Sequence, residues 1–147
     1  MPTAIIMDDE PLLRRELRET LADLWPELSV VAEYGDGAAA LATFEDVRPD
    51  VAFLDIRVPK LSGLEVAERI QGESLVVFVT AYDEHAVAAF EQGAADYLLK
   101  PIRPARVAAT VARLRQRLAP RADGGQGRRH LQRIQADSKP DTLFFNF

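Results

Sequence analysis

The sequence predicts an α/β domain in which helices cover both faces of a parallel β-sheet. Short apolar runs of strand length alternate with longer stretches that have helical spacing. Two of these runs, residues 51–54 and 75–79, are apolar at successive positions, as strands covered on both faces should be. Hydrophobic residues make up 48% of the 147 residues, which excludes a wholly disordered chain.

Five strands are predicted from short apolar runs that are bounded by polar residues or turn formers. They cover residues 4–7, 29–33, 51–54, 75–79 and 96–99. Right-handed crossovers between parallel strands leave few possible topologies, and five strands suit the flavodoxin-like order 2-1-3-4-5. We therefore expect a flavodoxin-like, doubly wound sheet with five helices.

The helices are predicted from apolar residues that recur at three- and four-residue spacing. These stripes run through residues 13–24, 40–47, 64–70, 86–90 and 107–118. Asp83 is a candidate cap for the fourth helix, and Gly93 is a candidate terminator of the same helix.

The composition changes after Leu118. Residues 119–127 are rich in Gly, Ala and charged residues and include a proline, a pattern typical of a linker. We predict a domain over residues 1–118. Residues 119–147 are expected to be a partly disordered linker and tail that leads toward an output domain absent from this chain.

Composition and charge exclude several classes of protein. With no cysteine, the chain cannot form disulfides, thiolate metal sites or a Cys nucleophile. No apolar run is long enough to span a membrane, and the N-terminus lacks a signal-like segment. The net charge of −5 disfavours nucleic-acid binding by the domain itself. We expect a cytoplasmic protein with no membrane partner.

Polar side chains stand at the carboxyl ends of four predicted strands. Asp8 and Asp9 follow the first strand, Asp55 the third, Thr80 the fourth and Lys100 the fifth. Ligands bind outside these ends in an open parallel sheet, at the point where the strand order reverses. Three neighbouring acids need a counter-ion, and Mg²⁺ suits this site better than zinc because the site has no His or Cys.

This set of side chains suits the transfer of a phosphoryl group to an aspartate. Two of the acids would hold the metal, and the third would attack phosphorus to form an acyl phosphate. Such transfer depends on positioning and charge neutralisation. Lys100 supplies an ammonium group, Thr80 a hydroxyl and Ala81 a candidate backbone N–H donor.

Together, these motifs resemble the receiver domain of two-component response regulators over roughly residues 3–118. The resemblance rests on Asp8-Asp9, Asp55 to Pro59, Gly63, Thr80-Ala81 and Lys100-Pro101. It implies that a sensor histidine kinase phosphorylates Asp55. It also implies that Asp9 binds Mg²⁺ directly, that Asp8 acts through water, and that Asp55 and the backbone carbonyl of Arg57 complete the metal ligands.

The resemblance also assigns roles around the phosphoryl group. Thr80 and Lys100 would contact it, and Tyr97 matches a switch aromatic that moves inward as Thr80 moves toward the phosphate. The Lys100–Pro101 peptide bond is expected to be cis. The domain would promote its own phosphorylation and dephosphorylation without turning over a separate substrate, so it is not an ordinary enzyme. His85 is expected to be exposed and His130 carries no signal.

A narrower similarity lies in residues 80–90 and 96–102, which look like regulators with a LytTR-type DNA-binding output domain. Residues 119–147 are too few for that module, so DNA would be bound only through a domain absent from this chain. A homodimer through the fourth helix, fifth strand and fifth helix is also expected. The last predicted helix carries four arginines that either form a solvated face or pair across that dimer with acids such as Asp96, Glu91 and Asp83, namely Arg103, Arg106, Arg113 and Arg117.

Three alternatives stay open at this stage. The chain could be a stand-alone receiver in a phosphorelay, in place of the front half of a transcription factor. An aspartyl-phosphate phosphatase of the haloacid dehalogenase type would carry a second acid where this chain has Arg57. A flavodoxin-like or nucleotide-binding module would need a Gly- or Ser/Thr-rich phosphate loop after the first strand, where this chain has Asp9-Glu10-Pro11-Leu12.

Overall fold

The computed structural model describes residues 1–119 and confirms the predicted doubly wound architecture. The strands are β1 (Thr3–Met7), β2 (Ser29–Tyr34), β3 (Val51–Leu54), β4 (Leu75–Thr80) and β5 (Asp96–Leu99). They form one parallel sheet in the flavodoxin-like order β2-β1-β3-β4-β5. The predicted linker and tail lie, apart from Ala119, outside the described residues.

Five α-helices connect and follow these strands within the described range. They are α1 (Pro11–Leu24), α2 (Gly37–Val47), α3 (Gly63–Arg69), α4 (Ala86–Glu91) and α5 (Pro104–Leu118). None of them is long and apolar enough to cross a lipid bilayer.

The start of the fourth helix differs from the prediction. Asp83 does not cap α4, because Asp83–His85 form a separate 3₁₀ turn in which the Ala86 N–H donates to the Asp83 carbonyl. Short 3₁₀ segments commonly precede α-helices, and this one moves the helix start to Ala86. The prediction for Asp83 was therefore wrong.

Gly93 ends α4 as predicted. Its φ of 87° lies in the left-handed region, which favours glycine. The Gly93 N–H donates to the Phe90 carbonyl (2.9 Å), and the Ala94 N–H donates to the Ala89 carbonyl (3.1 Å). This pair of bonds is a Schellman motif, which satisfies the last carbonyls of the helix.

The hydrophobic core has one half on each face of the sheet. On one face α1 and α5 contribute Leu17, Leu21, Val107 and Leu114, whereas α2, α3 and α4 cover the other face. Every residue of β3 and β4 is buried, as the unbroken apolar runs predicted. The central strands are thus fixed by packing on both sides.

The register of the strands brings their carboxyl ends level. Met7 of β1 pairs with Leu54 of β3, and the Asp55 N–H donates to the Met7 carbonyl (2.9 Å). On the other side, the Lys100 N–H donates to the Thr80 carbonyl (2.8 Å). The polar residues that follow these strands therefore share one edge of the sheet.

Candidate functional site

Three carboxylates meet at the carboxyl edge of the sheet, as the sequence predicted. Oxygens of Asp8, Asp9 and Asp55 lie within 4.8 Å of one another. Asp8 and Asp55 are 4% and 6% exposed, whereas Asp9 is exposed to solvent. Two carboxylates are therefore held in a poorly hydrated place beside a third that solvent can reach.

Lys100 lies between the two buried carboxylates. Its Nζ donates to Oδ2 of Asp8 (2.7 Å) and to Oδ2 of Asp55 (2.9 Å). Burial acts to lower the pKa of Lys100, but the hydrogen bonds and charges of Asp8 and Asp55 outweigh it and raise that pKa above its usual value. The side chain is therefore a stable cation at neutral pH.

The loop after β1 holds Asp8 through its backbone and side chain. The Asp8 N–H donates to the Tyr34 carbonyl at the end of β2 (2.9 Å), and Oδ1 of Asp8 accepts from the Glu10 N–H (2.9 Å). Arg14 of α1 donates from Nη1 to the Asp8 carbonyl (2.5 Å). Arg14 could not be identified from the sequence, because the spacing of residues does not show a contact that joins α1, the loop and β2.

Asp55 is held by the tight loop that follows β3. The Arg57 N–H donates weakly to Oδ1 of Asp55 (3.4 Å), and the Gly63 N–H donates to the Ile56 carbonyl (2.8 Å). A Cβ at Gly63 would overlap the Asp55 carbonyl, so the loop can close on the strand end only with glycine there. The spacing of Asp55 and Gly63 has this steric origin.

The start of α3 is fixed by a capping box. The Ser62 hydroxyl accepts from the Glu65 N–H (3.2 Å), and the Glu65 carboxylate accepts from the Ser62 N–H (2.9 Å). The site loop is therefore anchored at both ends, by β3 and by α3.

Thr80 is fully buried at the end of β4. Its carbonyl accepts from the Lys100 N–H, but its hydroxyl has no hydrogen-bond partner within the described part of the chain. Buried hydroxyls are usually paired, so an unpaired one at a polar site indicates a group that can bond a further ligand.

Tyr97 is 7% exposed and lies inside the domain. Its ring packs near Phe78 and Phe90, with centroid separations of 6.1 and 6.4 Å, and its hydroxyl donates to the Tyr82 carbonyl. Burial raises the pKa of Tyr97 above its usual value, so the hydroxyl stays protonated and can donate. Tyr97 thus connects β5 to the loop that follows Thr80.

The rim of the site carries a cation–π contact. The Arg57 guanidinium lies 4.0 Å from the centroid of the Tyr82 ring and 3.6 Å from a carboxylate oxygen of Glu84. Arg57 and Glu84 are more than half exposed, so these contacts border the carboxylates on the solvent side.

Asp96 takes no part in the carboxylate cluster. It is 2% exposed and accepts hydrogen bonds from Arg106 and Thr110 of α5, with Arg113 at 3.6 Å. The expectation that Asp96 faces arginines of a partner copy is corrected, because its partners lie in its own chain. The sequence could not give the angle at which α5 packs, and that angle decides these contacts.

Two further expectations are tested by the geometry. The Lys100–Pro101 peptide bond is cis, as the resemblance implies. His85 is half-buried and its Nε2 is enclosed, so the expectation that it is exposed was wrong. The cause is the 3₁₀ turn, which sets the backbone of residues 83–85 differently from a regular helix.

The donor set suits a hard divalent cation. The three carboxylates supply oxygen ligands close together, and the cluster contains no imidazole. Mg²⁺ prefers oxygen ligands and keeps part of its water shell, which the exposed Asp9 side of the cluster allows. Asp8, Asp9 and Asp55 are therefore the residues that could hold such an ion.

The family model and the curated relatives that match this chain describe response regulators and transcriptional regulatory proteins. The family model described as the response regulator receiver domain matches residues 4–112. An uncharacterized response regulatory protein of Vibrio cholerae is 48% identical over 145 residues, which are 94% of this chain and 56% of that protein. The transcriptional regulatory protein BtsR of Escherichia coli K12 is 45% identical over 118 residues, 79% of this chain and 49% of BtsR. The chain spans about half the length of these curated relatives.

Solved structures agree with the sequence comparison. The response regulatory domain of protein mrkE from Klebsiella pneumoniae has a TM-score of 0.75 at 34% identity, covering 78% of this chain and 96% of that one. The REC domain of AraT from Geobacillus stearothermophilus has a TM-score of 0.72 at 34% identity, covering 79% and 94%. Both the sequence and the fold are thus similar to response regulator domains.

Proposed function

The chain belongs to the response regulator receiver domain family, and from this premise we propose that Asp55 is its phosphoacceptor. The observation that supports this most strongly is the position of Lys100, whose ammonium bonds the carboxylates of both Asp8 and Asp55. Asp55 directly follows β3, which is the middle strand of the sheet and is buried along its whole length.

The proposed metal is Mg²⁺. Asp9 and Asp55 would bind it directly, Asp8 through water, and the Arg57 carbonyl would complete the protein ligands. The close carboxylate oxygens of the three aspartates support this assignment. When bound, the ion would offset the negative charge of the carboxylates and of the phosphoryl oxygens.

The proposed reaction is an in-line transfer from a phosphohistidine of a sensor histidine kinase. A carboxylate oxygen of Asp55 forms a bond to phosphorus while the P–N bond breaks, and the electron pair stays on the imidazole nitrogen, which takes up a proton. Lys100 would turn from the carboxylate of Asp55 to a phosphoryl oxygen, keeping its bond to Asp8. Water attack on the acyl phosphate would reverse the modification.

Thr80 and Tyr97 would convert the modification into a change of surface. The buried hydroxyl of Thr80 is unpaired within residues 1–119, which supports a role as donor to a phosphoryl oxygen. The Tyr97 hydroxyl donates to the Tyr82 carbonyl, so a movement of the loop after Thr80 would displace the Tyr97 side chain on β5. The surface formed by α4, β5 and α5 would then shift between two states.

The side chains of Arg57 and Tyr82 are expected to influence the lifetime of the acyl phosphate. They stack on each other at the solvent side of the carboxylate cluster. The same position disfavours the phosphatase alternative, because an arginine in a stacked pair replaces the second acid that such an enzyme needs two residues after its nucleophile.

We also propose a LytTR-type DNA-binding output joined through residues 119–147, with residues 1–118 as the receiver. Curated relatives are about twice as long, and BtsR is named as a transcriptional regulatory protein. A stand-alone phosphorelay receiver is the alternative. A homodimer through α4-β5-α5 is proposed because Val87 and Leu99 are 70% and 46% exposed there.

The phosphoacceptor is tested by intact mass after treatment with acetyl phosphate. We expect the wild type to gain one phosphoryl group only when Mg²⁺ is present, and Asp55→Asn to gain none. Size exclusion of the same samples tests the dimer. A phosphoryl adduct that persists in Asp55→Asn would show that the acceptor is misassigned.

A further inference from the structure

We propose that Arg14 is a positioning residue for the metal-binding pair Asp8-Asp9. The inference rests on the proposed function, because it takes that pair to hold Mg²⁺. Arg14 is the fourth residue of α1 and, within residues 1–119, makes no hydrogen bond or ion pair to a carboxylate of the cluster, so its action would be indirect.

Arg14 connects α1 to β2 and to the loop after β1, next to the carboxylate cluster. Its Nη1 donates to the Asp8 carbonyl (2.5 Å), and its Nε donates to Oε1 of Glu33 on β2 (3.3 Å). The side chain is only 20% exposed. Because the Asp8 N–H is bonded to the Tyr34 carbonyl at the same time, the peptide groups on both sides of Asp8 are held.

The hydrogen bond from Arg14 to the Asp8 carbonyl matters because the Asp9 side chain has no partner of its own within the described residues. The Asp9 side chain is exposed, and no hydrogen bond or ion pair to it is found within residues 1–119. Its direction is therefore set by its own backbone, which begins at the carbonyl that Arg14 bonds. Loss of that bond would let the Asp8–Asp9 peptide rotate and would spread the Asp9 carboxylate over more orientations, whereas the Asp8 carboxylate stays bonded to Lys100 and the Glu10 N–H.

Glu33 offsets only part of the positive charge of Arg14, because it also pairs with Arg18; Arg14→Lys, which keeps the charge, isolates the effect of geometry. Glu33 lies between two guanidinium groups, Arg14 at 3.3 Å and Arg18 on the next turn. A guanidinium can donate from separate nitrogens to the Glu33 carboxylate and the Asp8 carbonyl at once, with a geometry that a lysine ammonium does not reproduce. Removal of Arg14 should therefore weaken Mg²⁺ binding by loss of geometry.

A purely structural role would have a different signature. If Arg14 only fastened α1 to β2, its loss would lower the stability of the metal-free protein and leave the affinity for Mg²⁺ unchanged. Two readouts separate these roles, namely Mg²⁺ binding measured by isothermal titration calorimetry and thermal unfolding in metal-free buffer, both on the full 147-residue chain.

The test compares Arg14→Ala and Arg14→Lys with Arg15→Ala. Arg15 is the matched control, since it is the next arginine of α1 and, within the described residues 1–119, makes only an exposed pair with Glu19. Residues that orient metal ligands typically change metal affinity by roughly 10- to 100-fold, and we expect Arg14→Ala to raise the Mg²⁺ dissociation constant by about 10-fold or more. Arg14→Lys should also bind more weakly, and Arg15→Ala should match the wild type.

Saturating Mg²⁺ should restore the rate of phosphorylation by acetyl phosphate in both Arg14 variants. Unchanged or tighter Mg²⁺ binding by Arg14→Ala would overturn the inference, as would wild-type binding by Arg14→Lys. If Arg14→Ala does not fold, Arg14→Lys decides alone. Absence of Mg²⁺ binding by the wild type would instead overturn the proposed function itself, so the two failures are distinguishable.

Discussion

Two buried aspartates of this domain, Asp96 and Asp55, have cationic partners but very different surroundings. Asp96 begins β5, and Asp55 follows the end of β3 at the carboxyl edge of the sheet. They are 2% and 6% exposed, so burial alone does not distinguish them. The difference lies in how many of their oxygen lone pairs are already used.

Asp96 is saturated with hydrogen bonds. Oδ1 accepts from Arg106 Nη2 (2.7 Å) and the Tyr97 N–H (2.8 Å), and Oδ2 accepts from Arg106 Nη1 (3.0 Å) and the Thr110 hydroxyl (2.6 Å). Burial acts to raise the pKa of Asp96, but the hydrogen bonds of Arg106, Thr110 and Tyr97 outweigh it and lower that pKa below its usual value.

Asp55 has fewer and weaker partners. Oδ2 accepts from Lys100 at 2.9 Å, and Oδ1 has only the long bond from the Arg57 N–H at 3.4 Å. A carboxylate in this state keeps lone pairs for a metal ion and for attack on phosphorus, whereas Asp96 has none to spare. Asp96, whose lone pairs are all used, therefore stabilises the fold, whereas Asp55, with lone pairs free beside a cation, can react.

The largest predicted effect is that of Lys100→Ala on the rate of acyl phosphate formation. Loss of an ammonium group aimed at developing negative charge should slow acyl phosphate formation by on the order of 10²–10³-fold. Stopped-flow or timed intact-mass measurements with acetyl phosphate and Mg²⁺ check this. Lys60→Ala is the control, because Lys60 is 68% exposed and its one ion pair in the described part of the chain is with Asp36 at 3.8 Å. Equal rates for Lys100→Ala and the wild type would contradict the claim that the cation beside Asp55 assists acyl phosphate formation.

Arg106→Ala should act on stability instead. It leaves a buried Asp96 without its bidentate partner, and the free energy of unfolding should fall by about 2–3 kcal/mol, with Arg113 offsetting part of the loss. Urea unfolding measures the change. The control is Arg115→Ala, which removes an exposed pair with Glu27 and a cation–π contact with Trp25 (5.6 Å to the ring centroid) and should cost about 1 kcal/mol. Below the unfolding transition, Arg106→Ala should still accept a phosphoryl group.

Ionisation of Asp96 should make the free energy of unfolding depend on pH. Because its pKa is lowered in the folded protein, its ionised form contributes stability that is fully present above the unfolded value of about 3.9 and is lost as pH falls through the folded value. The difference in unfolding free energy between wild type and Asp96→Asn should therefore shrink below about pH 4. Urea titrations from pH 6 downward measure it, and a difference that grows on acidification would contradict the prediction.

The smallest effect is expected for the stability of Asp55→Asn. The substitution removes one of three neighbouring negative charges, and it weakens one of the two hydrogen bonds of Lys100, because an amide oxygen accepts without a negative charge. In metal-free buffer the net change should be a stabilisation of about 1 kcal/mol or less. Thermal unfolding tests the sign. A destabilisation as large as that of Asp96→Asn would mean that both carboxylates serve the fold.

The sequence was sufficient for the strand order and for the edge where the site lies. The apolar runs of β3 and β4 and the polar residues that follow each strand depend on chain-local patterns, which one sequence contains. The convergence of Asp8, Asp55 and Lys100 then follows from the parallel register.

Features that depend on packing angles could not be predicted. The contacts of Arg14 with the Asp8 carbonyl and of Asp96 with Arg106 join elements whose relative placement is set by the core. The 3₁₀ turn Asp83–His85 was missed because a capping aspartate and a short turn have the same local sequence. The features that were not predicted are therefore side-chain contacts around the site, the contacts between β5 and α5, and the turn before α4.

The central claim is that Asp55, and not another buried or clustered aspartate, takes the phosphoryl group. The direct test is to phosphorylate the wild-type protein with acetyl phosphate and Mg²⁺, trap the acyl phosphate by borohydride reduction, and map the product by peptide mass spectrometry. We expect reduction of the Asp55 side chain to homoserine, with Asp8, Asp9 and Asp96 unmodified. Homoserine at any of those three positions, with Asp55 intact, would contradict the account.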